Sequence, residues 1–154
     1  MGERNRAIFV DLLRKNPGIL IKITTVLPES QKQRAYLEGA VIPLVTFYQE
    51  GLDHQSSDDC TKVREWLKLE FNGQLLELNG KSRIVARSTK GREALNAFLE
   101  RVVEWLQENY APPAEALDPE AYKRWRDTEM MTGETTDYID HLVETGVLKR
   151  GMVQ

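Results

Sequence analysis

Apolar positions recur along this chain with two periods, and the periods divide it into elements. Ile8, Phe9, Leu12 and Leu13 share one helical face, and Asn16-Pro17-Gly18 ends that segment. From Ile19 to Val26 the period drops to two: Ile19, Ile21, Ile23 and Thr25 alternate with Leu20, Lys22, Thr24 and Val26, which predicts a strand closed by Pro28. A helix is then expected from Glu29 or Ser30 to Gln49 or Glu50. Its buried stripe would be Leu37, Ala40, Val41, Leu44, Val45 and Tyr48, at the spacing i, i+3, i+4, i+7, i+8, i+11. Gly51 ends it. Pro43 lies inside that stretch, where it removes one backbone bond and crowds the carbonyl of Gly39, so a local bend is expected.

The second half repeats the alternation of long helices with sharp stops. Ser56-Ser57-Asp58-Asp59 reads as a helix start, with Cys60, Val63, Leu67 and Phe71 on one face and Asn72-Gly73 as the end. Leu75–Leu78 and Arg83–Arg87 flank Asn79-Gly80, a strong hairpin signal; a four-residue loop through Lys81-Ser82 would shift the register. Ser88 or Thr89 is the expected cap of a helix reaching Asn109 or Tyr110, whose face is Leu95, Phe98, Leu99, Val102, Val103 and Leu106. Ala111-Pro112-Pro113 is a boundary. Beyond it, Asp118 with Pro119 opens one helix and Thr135 or Thr136 a last one. The expected fold is α+β: a small antiparallel or mixed sheet, one strand plus a hairpin, packed against long helices. Residues 1–111 would form the core domain and 112–154 a helical C-terminal extension, packed on the body or on another subunit.

Composition narrows the class. With 154 residues, 41% hydrophobic and 29% charged, the chain is sized for one domain and apolar enough to fill a core. No apolar run approaches a membrane span, and Asp11, Arg14 and Lys15 break up the N-terminal stretch where a signal core would lie. One cysteine, Cys60, excludes an internal disulfide, so a soluble protein of a reducing cytoplasm is expected, with no membrane partner.

Charge is uneven, which the net value of -3 conceals. Residues 1–92 carry 15 Lys and Arg against 11 Asp and Glu; residues 93–154 carry 6 against 13. Between Leu78 and Arg92 stand Lys81, Arg83, Arg87, Lys90 and Arg92 with no acid among them. The balance excludes a globally basic nucleic-acid binder but leaves room for a local basic face.

Catalytic and metal chemistry find little support in the spacing. His54 and His141 are distant in sequence, without a second His or Cys at ligand spacing, and read as surface residues; no metal or cofactor is expected. Cys60 reads as a small residue on a helix face, with the neighbouring Asp58 and Asp59 raising its thiol pKa. No glycine loop of a nucleotide-binding type occurs, and no catalytic constellation stands out, so an enzyme is disfavoured.

Two constellations suit nucleic acid. The first joins Gln31-Lys32-Gln33-Arg34, at the start of the kinked helix, to the basic stretch Lys81, Arg83, Arg87, Lys90 and Arg92. The second is Tyr122-Lys123-Arg124-Trp125-Arg126, where Tyr122 and Trp125 share a side at i and i+3 and are candidates for stacking on bases. The competing reading has these two rings docking the arm onto the core.

The stretch Ser30–Leu44 resembles the NinB/Orf recombination proteins of phages and prophages. In that family a strand precedes a Gln-Asn helix, an aromatic pair, a glycine and an apolar-Pro step; Gln33, Tyr36, Gly39, Ile42 and Pro43 fit. Leu20–Val26, and Arg87-Ser88-Thr89 followed by the Leu95–Leu106 helix, fit as well, so the resemblance covers about residues 8–110. Arg34 stands where Asn is usual and Leu37 where a second aromatic is usual. The resemblance implies a dimeric, cofactor-free mediator of bacteriophage DNA recombination in the host cytoplasm. Such a protein binds single-stranded or gapped DNA, engages the host single-strand-binding protein, and helps load a recombinase. The alternative reading is an interaction module that binds or inhibits a host factor through its acidic C-terminal half, without DNA.

Overall fold

The computed structural model describes residues 29–132 and 137–149. The expected helix at Ile8–Leu13 and strand at Ile19–Val26 lie outside them. The fold is α+β, helix-rich with a small antiparallel sheet.

Its spine is the kinked helix. Helix α1 (Glu29–Tyr36) passes into a π-helical turn (Leu37–Val41) and continues as α2 (Ile42–Tyr48). The bend expected from Pro43 takes this form: Pro43 has no N–H for the Gly39 carbonyl, and the turn before it widens so that the Ile42 N–H reaches back to the Leu37 carbonyl. The stripe Leu37, Ala40, Val41, Leu44, Val45 and Tyr48 is buried as its spacing predicts, and Ile42 and Thr46 are buried with it. A helix enclosed on that many sides is a core element rather than a surface one. Thr46 meets the requirement this places on its hydroxyl by donating to the Ile42 carbonyl at 2.8 Å.

Helix α3 (Ser57–Asn72) starts where expected, with the Ser56 hydroxyl accepting the Asp59 N–H at 3.2 Å. Strands β1 (Gly73–Leu78) and β2 (Lys81–Ala86) follow and pair antiparallel, with Leu78 opposite Lys81 and Leu75 opposite Ile84. The turn is the two-residue one. Asn79 (φ 53°) and Gly80 (φ 72°) both take positive φ, which a type I′ turn requires and which this residue pair tolerates. The strands run two residues further toward Gly73 and Lys81 than the apolar pattern suggests.

Helix α4 (Arg92–Tyr110) buries Leu95, Phe98, Leu99, Val102 and Leu106. Its cap is Gly91, not Ser88 or Thr89. The Ser88 hydroxyl accepts the Lys90 N–H at 3.1 Å and the Thr89 carbonyl accepts from Arg34, so both are engaged before the helix begins.

After Pro113 come α5 (Ala114–Leu117), α6 (Pro119–Thr132) and α7 (Tyr138–Glu144). Asp118 accepts the Glu120 N–H at 3.0 Å, as its place before Pro119 suggests. Asp137 caps α7 by accepting the Asp140 N–H at 2.8 Å; the expected caps Thr135 and Thr136 lie outside the described residues. Ala116, Tyr122, Tyr138, Ile139, Leu142 and Leu148 are buried in the same cluster as Leu37 and Leu106, so the C-terminal helices close the core of their own chain. Each such large apolar side chain contributes about 1.5–3 kcal/mol. Among the described residues no helix is long and apolar enough to cross a membrane.

Candidate nucleic-acid interface

Helix α1 brings Lys32, Gln33 and Arg34 against the start of α4. The Arg34 guanidinium donates to the Thr89 carbonyl at 3.1 Å, and the Gln33 amide donates to Asn96 Oδ1. Thr89 precedes Lys90 and Arg92, both exposed, so the basic start of α1 and the basic entry to α4 share one surface although more than fifty residues separate them. Arg87 is exposed at the base of the hairpin. Its N–H donates to the Asn72 carbonyl at 2.9 Å and its carbonyl accepts the Asn72 amide at 3.1 Å, fixing where the segment leaves the sheet. Lys81 and Arg83 are exposed in β2, two residues apart and hence on one face, opposite Leu78 and Leu76. Arg101 of α4 joins this base by donating to the Phe71 carbonyl at 2.8 Å. Sequence reading passed over Arg101, which stands among acids and has no local signature.

The second constellation divides. Tyr122 is 8% exposed, with the Tyr36 and Tyr138 ring centroids at 6.2 and 5.3 Å. Trp125 is half-buried, 5.4 Å from the Tyr138 ring. Both rings thus pack against the core, with the Arg126 guanidinium 5.8 Å from the Tyr122 ring centroid, and Tyr122 keeps an edge on a neighbouring cavity. Burial pushes the phenols of Tyr36 and Tyr122 up, and that of Tyr138 up to about 12, so all three stay protonated donors at neutral pH.

Two cations of the same stretch stand beside the Tyr122 ring on that cavity. Lys123 and Arg126 line a cavity of about 420 Å³ between α1, α4 and α6, together with Lys32, Gln33 and Asn96. The acids Glu100 and Glu120 stand on the same lining. Lys32 and Gln33 of the first constellation and Tyr122, Lys123 and Arg126 of the second, remote in sequence, therefore meet at one cavity, while Arg34, Lys81, Arg83, Arg87, Lys90 and Arg92 are not on its lining. Asn96, midway along an amphipathic helix, carried no sequence signal.

One histidine differs from expectation. His54 is not a surface residue: its side chain is 10% exposed, its ring centroid is 5.6 Å from that of Phe47, and its Nε2 lies 2.9 Å from Asp140 Oδ1 and 3.8 Å from Asp137 Oδ1. Among the described residues this is the one group with donor atoms close enough to share a cation, all within 4.8 Å of one another. Its atoms already satisfy one another, since Gln55 also donates to Asp140, and Asp137 is engaged as the α7 cap. Burial pushes Asp137 up, with the neighbouring Asp140 adding to it. Burial acts upward on Asp140 too, but hydrogen bonds from His54 and Gln55 outweigh it and hold that carboxyl below its usual value. His141 lies on α7, its ring stacked near Tyr138 at 6.2 Å. No family model matches the chain, and neither does any curated protein or solved structure.

Proposed function

We propose that this protein binds single-stranded or gapped DNA and serves as a phage-type accessory of recombination or replication. The carrying observation is the Arg34–Thr89 hydrogen bond, which sets Arg34 beside Lys90 and Arg92 on an exposed surface, with the half-buried Lys32 two residues earlier on the same helix. Side-chain cations spread over a helix start and a loop suit the irregular phosphate path of an unpaired strand, and they read no sequence. The likeness of Gln33, Tyr36, Gly39, Ile42 and Pro43 to the NinB/Orf pattern supports the recombination setting, and with it a homodimer acting in a bacterial cytoplasm alongside the host single-strand-binding protein or recombinase.

Fluorescence anisotropy with labelled single-stranded oligonucleotides across a salt series tests this. Affinity should fall with salt at about 0.7 logarithmic units per neutralised phosphate, and replacing Arg83, Arg87 and Lys90 by Ala should reduce that slope by about 2. Absence of binding at low salt, or a slope unmoved by the triple replacement, overturns the proposal. Light scattering of the intact chain decides the dimer.

A further inference from the structure

Gln33 carries an unmet requirement. Its amide nitrogen donates to Asn96 Oδ1, while its Oε1 is buried with no hydrogen-bond partner. Turning the amide over exchanges donor for acceptor, yet one polar atom still lacks a partner. A buried polar atom left unpaired costs about 1–3 kcal/mol, a cost that a ligand's hydrogen bond would remove. Gln33 stands on the lining of the 420 Å³ cavity, with Asn96 beside it. The walls add Leu99 and Val103 as apolar surface and Tyr36 as an aromatic, while Lys32, Lys123 and Arg126 supply cations.

That combination, an apolar slot with a paired amide and cations around it, suits one chemical unit in particular. A nucleobase has a flat apolar body, an edge of alternating donors and acceptors that carboxamides match in pairs, and a phosphate within one sugar's reach. The volume is ample for a base with its sugar. Glu100 and Glu120 on the lining disfavour a purely anionic occupant, and a base carrying a single phosphodiester meets that restriction better than a polyphosphate does.

We propose that this cavity receives one nucleobase of a bound single strand, its edge on Gln33 and Asn96 and its phosphate on Lys32, Lys123 and Arg126. The inference rests on the DNA-binding reading above and adds to it a place where a base leaves the strand's stack. The basic surface around Thr89 would then hold the backbone, and the cavity would add a base-dependent increment to that grip.

The test compares two short fluorescent strands, one built wholly of abasic units and one carrying a single central adenine. The intact protein should bind the adenine strand roughly tenfold more tightly, as expected for one base held by a protein surface. Gln33→Met removes the amide at similar volume, and Asn96→Leu does so from the other helix. Each should erase the difference between the strands while leaving affinity for the abasic strand unchanged. Gln33→Met should not lower the unfolding midpoint, since it removes the unpaired oxygen, whereas Asn96→Leu should lower it by unpairing the Gln33 amide. Equal, salt-sensitive binding of both strands by the intact protein would overturn the base cavity and leave the DNA reading standing, whereas failure to bind either strand at low salt would overturn both. Loss of the adenine preference to micromolar free deoxyadenosine monophosphate would identify a free-nucleotide site and also overturn the proposal.

Discussion

Gly39 and Tyr122 are in contact so close that no other residue fits between them. A Cβ at position 39 would lie 2.0 Å from the Tyr122 hydroxyl oxygen and 2.7 Å from Cζ. The ring cannot swing aside, because Tyr36 and Tyr138 hold it within the core. The sequence marks Gly39 only as the residue whose carbonyl Pro43 crowds, but its tertiary role is to let α6 approach the spine. In an open helix Gly→Ala gains up to about 1 kcal/mol, while overpacking a core costs about 1–3 kcal/mol. Gly39→Ala should therefore destabilise by about 1–2 kcal/mol in chemical denaturation. Adding Tyr122→Phe should recover part of the loss, since Cζ would still be too near.

The contact of His54 with Asp140 ties the loop before α3 to α7. The two carboxylates beside it shift oppositely, so their substitutions should act oppositely. Asp140 is held below its unfolded value, so the stability it contributes is present above about pH 4 and fades as pH falls through the lowered value. Asp137 is held above its unfolded value, so its ionisation opposes folding at neutral pH. At pH 7, Asp140→Asn should cost about 1–2 kcal/mol through weaker hydrogen bonds, whereas Asp137→Asn, an equally good cap, should be neutral or stabilising. Denaturation midpoints between pH 3 and pH 7 check both signs; equal losses from the two variants would refute the assignment.

The hairpin presents apolar side chains to solvent, with Leu75 66% and Ile84 60% exposed as cross-strand partners. An exposed pair of this kind contributes about 0.2–1 kcal/mol. Leu75→Thr with Ile84→Thr should thus change the unfolding free energy of the monomer by no more than about 1 kcal/mol. A larger loss that grows with protein concentration would show that these residues are covered in an oligomer.

Cys60 should react slowly. Burial pushes its thiol up, the carboxylates of Asp137 and Asp59 add to the rise, and the Thr46 hydroxyl and Arg64 only partly oppose it. The expected thiolate population at pH 8 is therefore smaller than for a free cysteine. Iodoacetamide should label the folded protein several-fold more slowly than the same chain in denaturant, and equal rates would contradict the environment described.

Legibility followed the range of the interaction. Asn79-Gly80, Ser56 with Asp59, Asp118 with Pro119 and the bend before Pro43 are each settled within a few residues, and each stands where the sequence puts it. The cap of α4 falls at Gly91, two residues past Thr89, where the chain takes φ 92°, and the Thr89 carbonyl just before it is held by Arg34, 55 residues away. His54 was misread because its partner Asp140 is 86 residues distant. Tyr122 and Trp125 share a helix side as their spacing requires, but spacing cannot say whether that side meets solvent or the core.

Within the described residues the sequence by itself determined the long helices, the place of the hairpin and the buried faces, because local backbone sterics and hydrophobic period act over one or two turns. The tertiary structure alone decided that Gln33 meets Asn96, that Lys32 shares a cavity with Lys123 and Arg126, and that Gly39 admits Tyr122. Those meetings depend on how α1, α4 and α6 pack as bodies, and packing direction is set by the whole core rather than by any segment of it.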